Sequence, residues 1–360
     1  MFKILKNLWE RFRQILSNDI GIDLGTANTL VYIRGKGLII NEPSIVALNK
    51  KTGQVVAVGA QAKEMLGRTP AHIEAIKPLI DGVISDFEVA EEMLTYLMGR
   101  AQKDSKKLLG PRVVIGVPSN ITNVQIRAVR DAARNAGARN VYIIEETMAA
   151  AIGIKLPVYK PIGSMVIDIG GGTCDIAVIS LGGIVKSKNV HVAGVKLDED
   201  IITYIRSRFK VLIGEKTAED LKIAIGSVIP LPSDAESVES QVRGRDLITG
   251  LPREITVTDN DVREAIAHSV DTLIDAIKEV LETTPPEVLA DVMERGVYLV
   301  GGGALIRGLP ELLEEELKIP VHVANDPLTA VVRGAGMILE DVDSHSDILV
   351  DHEDELQHKN

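Results

Sequence analysis

The chain has 360 residues, 45% hydrophobic and 25% charged, enough to bury a sizeable core and to fill two domains or one large one. Its single cysteine, Cys174, excludes an internal disulfide, seven scattered histidines give no metal-ligand spacing, and no apolar run approaches the length of a membrane-spanning helix. The net charge of -11 argues against nucleic acid as the main partner, yet it is unevenly placed: residues 1–16 carry +3 and residues 340–360 carry -7.

The chain opens with "MFKILKNLWERFRQIL". On a helical wheel, Phe2, Ile4, Leu5, Leu8, Trp9, Phe12, Ile15 and Leu16 share one arc, and the basic and polar residues fill the rest. A cleaved signal peptide would need an uninterrupted apolar region and a small-residue cleavage site, and neither is present. A helix packed on the body of the protein fits the pattern. A helix lying in a membrane interface, basic residues towards anionic headgroups, fits it too and is preferred. Ser17-Asn18-Asp19 then make a polar break.

"DIGIDLGTANTLVYI" follows, with the rhythm of strand, tight turn, strand. About 145 residues later "MVIDIGGGTCDIAVI" repeats it, which predicts two related lobes. Each stretch holds an aspartate (Asp23, Asp168) just before a glycine turn. A phosphate chain needs backbone N–H groups aimed at its oxygens, and a Cβ would block the approach. Gly25, Gly170, Gly171 and Gly172 meet that need, while Thr26, Asn28 and Thr173 add side-chain donors. The nucleotide's Mg²⁺ is expected on Asp23 and Asp168. A pair of glycine hairpins with half-exposed aspartates is the plainer alternative; the repetition speaks against it. Neither G-x-x-x-x-G-K-[ST] nor a G-x-G-x-x-G opening a helix occurs.

Between the two repeats, "VYIIEETMAAAIG" reads as a short strand running into an Ala-rich helix, with Glu145 and Glu146 at the junction. Later, Val297–Val300 reads as a buried strand, Gly301, Gly302 and Gly303 as a turn against which a base or ribose can lie, and Leu309–Leu317 as a helix opened by Pro310. A second small-residue helix is expected from Leu328 to Leu339, suited to close approach at a hinge. The acidic end reads as a solvated, disordered tail.

In this order the segments resemble the five-part pattern of the actin, Hsp70 and sugar-kinase ATPase superfamily. It comprises the first phosphate turn (Asp23–Asn28), first connecting helix (Glu145–Gly153), second phosphate turn (Asp168–Asp175), adenosine turn (Val300–Leu305) and second connecting helix (Ala330–Gly336). Within it, "NEPSIVAL", "DGVISDF", "GVPSNIT" and "LVGGGALIRGLP" look like the MreB family of bacterial actins, over about residues 19–340.

The resemblance implies an α/β, actin-like two-lobed ATPase fold, two ribonuclease-H-like halves divided into four subdomains, with ATP and Mg²⁺ between the lobes. Residues 1–17 would be the membrane helix, 18–153 with 329–342 lobe I, 154–328 lobe II and 343–360 the tail. It implies a slow ATPase whose filaments organise cell-wall synthesis and rod shape, cytoplasmic and bound to the inner face of the membrane. Implied partners are further copies of the chain, the membrane surface and wall-elongation and shape-determining membrane proteins. Carried over by residue, Thr26, Ala27 and Asn28 touch phosphate from one lobe and Gly171, Gly172 and Thr173 from the other. Glu146 and Thr173 position the attacking water, and preferring Glu146 over Glu145 rests on that family spacing. Asp23 and Asp168 hold Mg²⁺, directly or through water. Glu215, Lys216, Thr217, Ala218 and Glu219 line the adenosine side with Gly301, Gly302, Gly303, Ala304 and Leu305. The family's membrane contacts suggest that Leu108 and Leu109, flanked by Lys106, Lys107 and Arg112, dip into the interface; a loop pair tucked onto the core fits equally.

Three rivals are weaker. A small-molecule kinase would need a sugar-binding insertion, and an Hsp70-type chaperone a β-rich domain after the ATPase. A scaffold that binds ATP without hydrolysis would have no need of Asp23, Glu146, Asp168 and Thr173 together.

Overall fold

The computed structural model describes residues 18–103, 110–230 and 237–350. The amphipathic N-terminal segment with Phe2, Leu5, Leu8, Trp9, Phe12 and Leu16, the pair Leu108-Leu109 and residues 351–360 lie outside them. The described chain forms two compact units, 18–158 with 329–350, and 159–328.

Unit 1 is built on a five-stranded sheet of β1 (Ile20–Leu24), β2 (Asn28–Ile33), β3 (Gly37–Pro43), β4 (Arg112–Val117) and β5 (Asn140–Glu145), in the order β5-β4-β1-β2-β3. β1, β2 and β3 pair antiparallel, and β4 and β5 run parallel to β1. Unit 2 repeats this plan with β6 (Ser164–Ile169), β7 (Cys174–Ser180), β8 (Gly183–Val190), β9 (Val297–Val300) and β10 (Val321–Val323), in the order β8-β7-β6-β9-β10. The repeat seen in the sequence is therefore a duplicated sheet. All six residues of β6 are buried, which is why its sequence is an apolar run rather than an alternation. Each unit also carries a smaller three-stranded sheet, residues 46–49, 55–58 and 73–76 in one and 211–212, 239–246 and 252–258 in the other.

Helices α1 (Phe87–Gln102), α2 (Asn123–Asn135) and α3 (Glu146–Gly153) belong to unit 1; α4 (Gly194–Phe209), α5 (Glu215–Ile225) and α6 (Asp259–Glu282) belong to unit 2. Asp86 caps α1, and Thr122 with Gln125 forms a capping box on α2. All eight residues of α3 are buried. Its partner is the returning helix Ala330–Glu340: a Cβ on Gly153 would stand 2.0 Å from the Ala330 carbonyl oxygen, and one on Gly334 1.8 Å from that of Ala149. The small residues let two backbones touch.

Three boundaries differ from expectation. Ile154–Val158 stays with unit 1, because Ile154 and Leu156 donate to the carbonyls of Ala150 and Ala151 and Val158 is buried. The small-residue helix expected from Leu328 begins at Ala330, where the second connecting helix was placed, since Pro327–Thr329 takes a 3-10 turn first. The tail does not begin at 343: Asp343–Ile348 forms a 3-10 helix, Ile348 is buried, and the Val350 N–H donates to the Ile143 carbonyl. Among the described residues no helix is long and apolar enough to cross a membrane.

Candidate active site

In unit 1 the parallel register sets Asp23 beside Gly116, and Glu145 beside Val117, at the carboxyl ends of three adjacent strands. Such ends are where open α/β sheets place ligands. A Cβ on Gly25 would lie 2.7 Å from the Asn28 carbonyl oxygen, so only glycine closes this turn. Ser44 braces it from behind: its Oγ donates to the Gly25 carbonyl at 2.6 Å, and its N–H donates to that of Ala27 at 2.9 Å. The Thr26 Oγ1 accepts from the Gly82 N–H at 2.7 Å, and Asn28 donates to the Asn41 side chain at 2.9 Å. Segments that the sequence marked only by resemblance, holding Asn41, Ser44 and Gly82, thus converge on one turn. Burial pushes the Asp23 carboxyl up to about 7.

Glu146 opens α3 and is buried. Gly116 makes its room, for a Cβ there would lie 3.3 Å from the Glu146 Cγ and 2.9 Å from Val331. The alternative, Glu145, accepts a hydrogen bond from the Ser119 hydroxyl at 2.6 Å. Gly116 and Ser119 carried no signal of their own in the sequence.

In unit 2, Asp168 sits on β6 opposite Asp175 of β7, both buried, and Asn189 donates to both oxygens of Asp175 at 2.9 and 3.0 Å. Asp168 also neighbours Val300, so the phosphate turn after β6 and the adenosine turn after β9 emerge side by side. Gly301 has φ +78°, and a Cβ on it would meet the Asp168 Oδ1 at 2.4 Å. Gly303 packs against Ile169 just as tightly. Gly170 donates to the Thr173 carbonyl at 2.9 Å and closes the turn. The carbonyls of Gly170 and Gly171 accept from the first N–H groups of α4, Gly194 at 3.1 Å and Val195 at 2.8 Å. In a trans peptide the N–H points opposite to the C=O. The N–H groups of Gly171 and Gly172 are therefore turned to the other side, where an anion can meet two of them. Thr173 is buried beside them. Cys174 is fully buried, and that burial, with Asp175 and Asp168 adding to it, holds its thiol well above the ordinary range.

Of the residues expected on the adenosine side, Glu215 and Lys216 are exposed and Glu219 and Thr217 half-buried on α5. Ala218 and Ala304 are packed in the core of unit 2, and Gly302 and Leu305 are exposed. The end of α5 is joined to the segment after the adenosine turn: Val228 donates to the Arg307 carbonyl at 2.9 Å, and Arg307 donates to that of Ile225 at 3.1 Å.

These residues fit a nucleotide with its cation. In unit 2 the outward-turned N–H groups of Gly171 and Gly172 suit phosphate, and in each unit a carboxylate one residue from the strand end suits a hard dication. A dication beside Asp23 would restore the charge that burial opposes.

Known proteins share this architecture. The cell shape-determining protein Mbl of Bacillus subtilis is 51% identical over 330 residues, 91% of this chain and 98% of Mbl. The crystal structure of Spiroplasma citri MreB5 bound to ADP matches with TM-score 0.86 and 38% identity, over 91% of this chain and 98% of that one. The MamK double helical filament matches with TM-score 0.77 and 25% identity, over 90% and 99%. The fold is actin-like. With the MreB/Mbl family model matching residues 17–347, this chain belongs to the MreB/Mbl family of cell shape-determining proteins.

Proposed function

We propose that the chain is a membrane-associated, ATP-dependent filament protein that organises cell-wall synthesis and rod shape and hydrolyses ATP slowly. One observation carries the nucleotide reading: each unit ends the first strand of its own five-stranded sheet in a carboxylate–glycine turn. Mbl's role in cell shape, the ADP on MreB5 and the MamK filament support the rest.

In this reading the amides of Gly171 and Gly172 and the Thr173 hydroxyl take phosphate oxygens from unit 2. Thr26, Asn28 and the backbone at Ala27 take them from unit 1. Asp23 and Asp168 would hold Mg²⁺, directly or through water, and the bound ion would neutralise phosphate charge. Glu146 accepts a proton of the attacking water in a hydrogen bond and Thr173 fixes its direction. Hydrolysis of a γ-phosphate depends mainly on positioning and electrostatics, so neither group needs to be a strong base. Glu215, Lys216 and Glu219 face the adenosine with Gly302 and Gly303. The amphipathic segment 1–16 and Leu108-Leu109 attach the polymer to the membrane.

Sedimentation with ATP, ADP or no nucleotide, with and without anionic liposomes, tests the proposal. Pelleting in ATP is expected, together with the liposomes when they are present. Absence of polymer in ATP under both conditions would overturn it.

A further inference from the structure

The phosphate turn of unit 1 lies at the carboxyl end of β1. At the opposite end of the sheet, the parallel pairing of β1 with β4 starts at Ile20 beside Val113. The two strands therefore begin side by side. One follows residues 1–17, and the other follows the segment 104–109 that holds Leu108-Leu109.

Asp19 and Arg112 carry the pairing one residue beyond this ladder. The Arg112 N–H donates to the Asp19 Oδ1 at 3.2 Å, and its Nε and Nη2 donate to Oδ2 at 3.0 and 2.6 Å. The Asp19 side chain is only 3% exposed, so its charge depends on such donors. Asp19 is also held from the other side. The Arg34 N–H donates to the Asp19 carbonyl at 3.0 Å, and the Arg34 Nη1 stands 3.7 Å from Oδ2. Arg34 donates in turn to the Glu340 carbonyl at 2.7 Å, at the end of the helix Ala330–Glu340. Asp19 is thus pinned to the body of unit 1, and Arg112 is pinned to Asp19. A largely buried pair adds little net stability, because both charges lose water, but its hydrogen bonds are directional. The sequence counts Arg112 among the basic flanks of Leu108-Leu109; in the structure its guanidinium is committed to a carboxylate.

We infer that Arg112 is a positioning residue for membrane binding: by clamping the foot of the segment 104–109 to the root of the N-terminal segment, it makes the two a single two-part contact with an anionic bilayer. The inference rests on the membrane reading above. Once one part has bound, the clamp keeps the other at high effective concentration beside the lipid.

The test uses the nucleotide-free full-length chain and vesicles of phosphatidylcholine with phosphatidylglycerol. Two probes report insertion: the fluorescence of Trp9, the only tryptophan, and a polarity-sensitive dye on Leu108→Cys, which labels selectively because Cys174 is buried. In wild type both signals should rise over the same lipid range. In Asp19→Asn and in Arg112→Gln the lipid needed should rise about tenfold for the residue-108 probe and less for Trp9. Asp19→Asn decides the cause. It removes a negative charge and keeps Arg112, so a charge effect alone would tighten binding, whereas loss of the clamp weakens it. Amide exchange at Asp19, Gly110 and Arg112 without lipid should speed up in both variants. Because each single change leaves a partner without its counter-charge, Asp19→Asn/Arg112→Gln is measured in parallel and should behave alike. In folded variants, wild-type or equally weakened binding at both probes, or tighter binding by Asp19→Asn, would overturn the inference. So would a wild type whose residue-108 probe stays silent while Trp9 responds. A wild type in which neither probe responds to lipid would refute the membrane reading instead. The exchange experiment needs no lipid and still reports whether Arg112 holds the foot of the loop.

Discussion

Asp23 lies where its own charge is resisted, which costs stability and, in the proposed function, would favour a bound cation. Its folded pKa, about 7, stands above the ordinary 3.8 because burial disfavours the ionised form. A carboxyl raised in the folded state binds its proton more tightly there than in the unfolded chain. The destabilisation is therefore absent below about pH 4, grows as pH rises from about 4 to 7, and is complete above that. In metal-free and nucleotide-free protein, Asp23→Asn should remove this slope. Urea midpoints at pH 5, 6 and 8 would show the variant gaining on wild type as pH rises; parallel profiles would contradict the assignment. The same variant should lose most of the stabilisation that Mg²⁺ and ATP give to wild type. In the proposed mechanism Glu146 has a different burden: it would orient water rather than bind nucleotide. Glu146→Ala should keep ATP affinity and slow phosphate release by about 100-fold, the cost of a misplaced reacting group. A rate equal to wild type would remove Glu146 from the mechanism. Cys174, by contrast, should be inert in the native protein. Its thiol is buried and held well up, so it should react with a thiol reagent only after unfolding.

The contact between α3 and the helix Ala330–Glu340 shows how an element depends on glycine. Gly334→Ala would place a Cβ 1.8 Å from the Ala149 carbonyl oxygen, so the helices must part. We expect a loss of about 2–3 kcal/mol in urea unfolding, the scale of overpacking. Gly99→Ala is the control. Gly99 is an exposed position within α1 with nothing within 4 Å of its Cβ, and the same change should stabilise by about 0.5–1 kcal/mol. Equal effects would mean that the close approach is unimportant. These elements also mark what the sequence can and cannot reveal. The two strand–turn–strand repeats, α3 and the helix Leu309–Leu317 announce themselves through local pattern, and the structure has them where that pattern predicts. Ser44, Gly82 and Gly116 stand in segments marked only by resemblance, and nothing local tells what they or Gly194 do, because each acts on a segment distant in the chain. A glycine that makes room for Glu146 looks like any strand glycine until the neighbouring strand is known. The residues from 343 to 350 mislead for a related reason. The acids on either side of them dominate the composition, while Ile348 is buried and Val350 packs against a core that composition does not display.

At the scale of the assembly, the proposed filament and the proposed membrane anchor depend on each other. A single helix of the kind proposed for residues 1–16, with the face of Phe2, Leu5, Leu8, Trp9, Phe12 and Leu16, would bind a bilayer reversibly, since its buried apolar area would be small and its basic residues would add only a screened attraction. A polymer presents many such helices at fixed spacing, so that once one is bound the rest bind at high effective concentration. Attachment should therefore follow polymerisation steeply. Wild type should pellet with anionic liposomes far more in ATP than without nucleotide, and added salt should reduce the unpolymerised fraction's binding before it reduces the polymer's. A chain lacking residues 1–16 should still polymerise in ATP in solution, because the described phosphate turns lie outside that segment, and should lose most of its liposome binding. Replacing Leu108 and Leu109 by serine in the full-length chain should remove a smaller share if that pair adds a second contact. Liposome binding that survives deletion of residues 1–16 at the wild-type level would take the anchor away from the N-terminus. Binding that is lost equally with and without ATP would leave the anchor in place and deny the multivalent coupling.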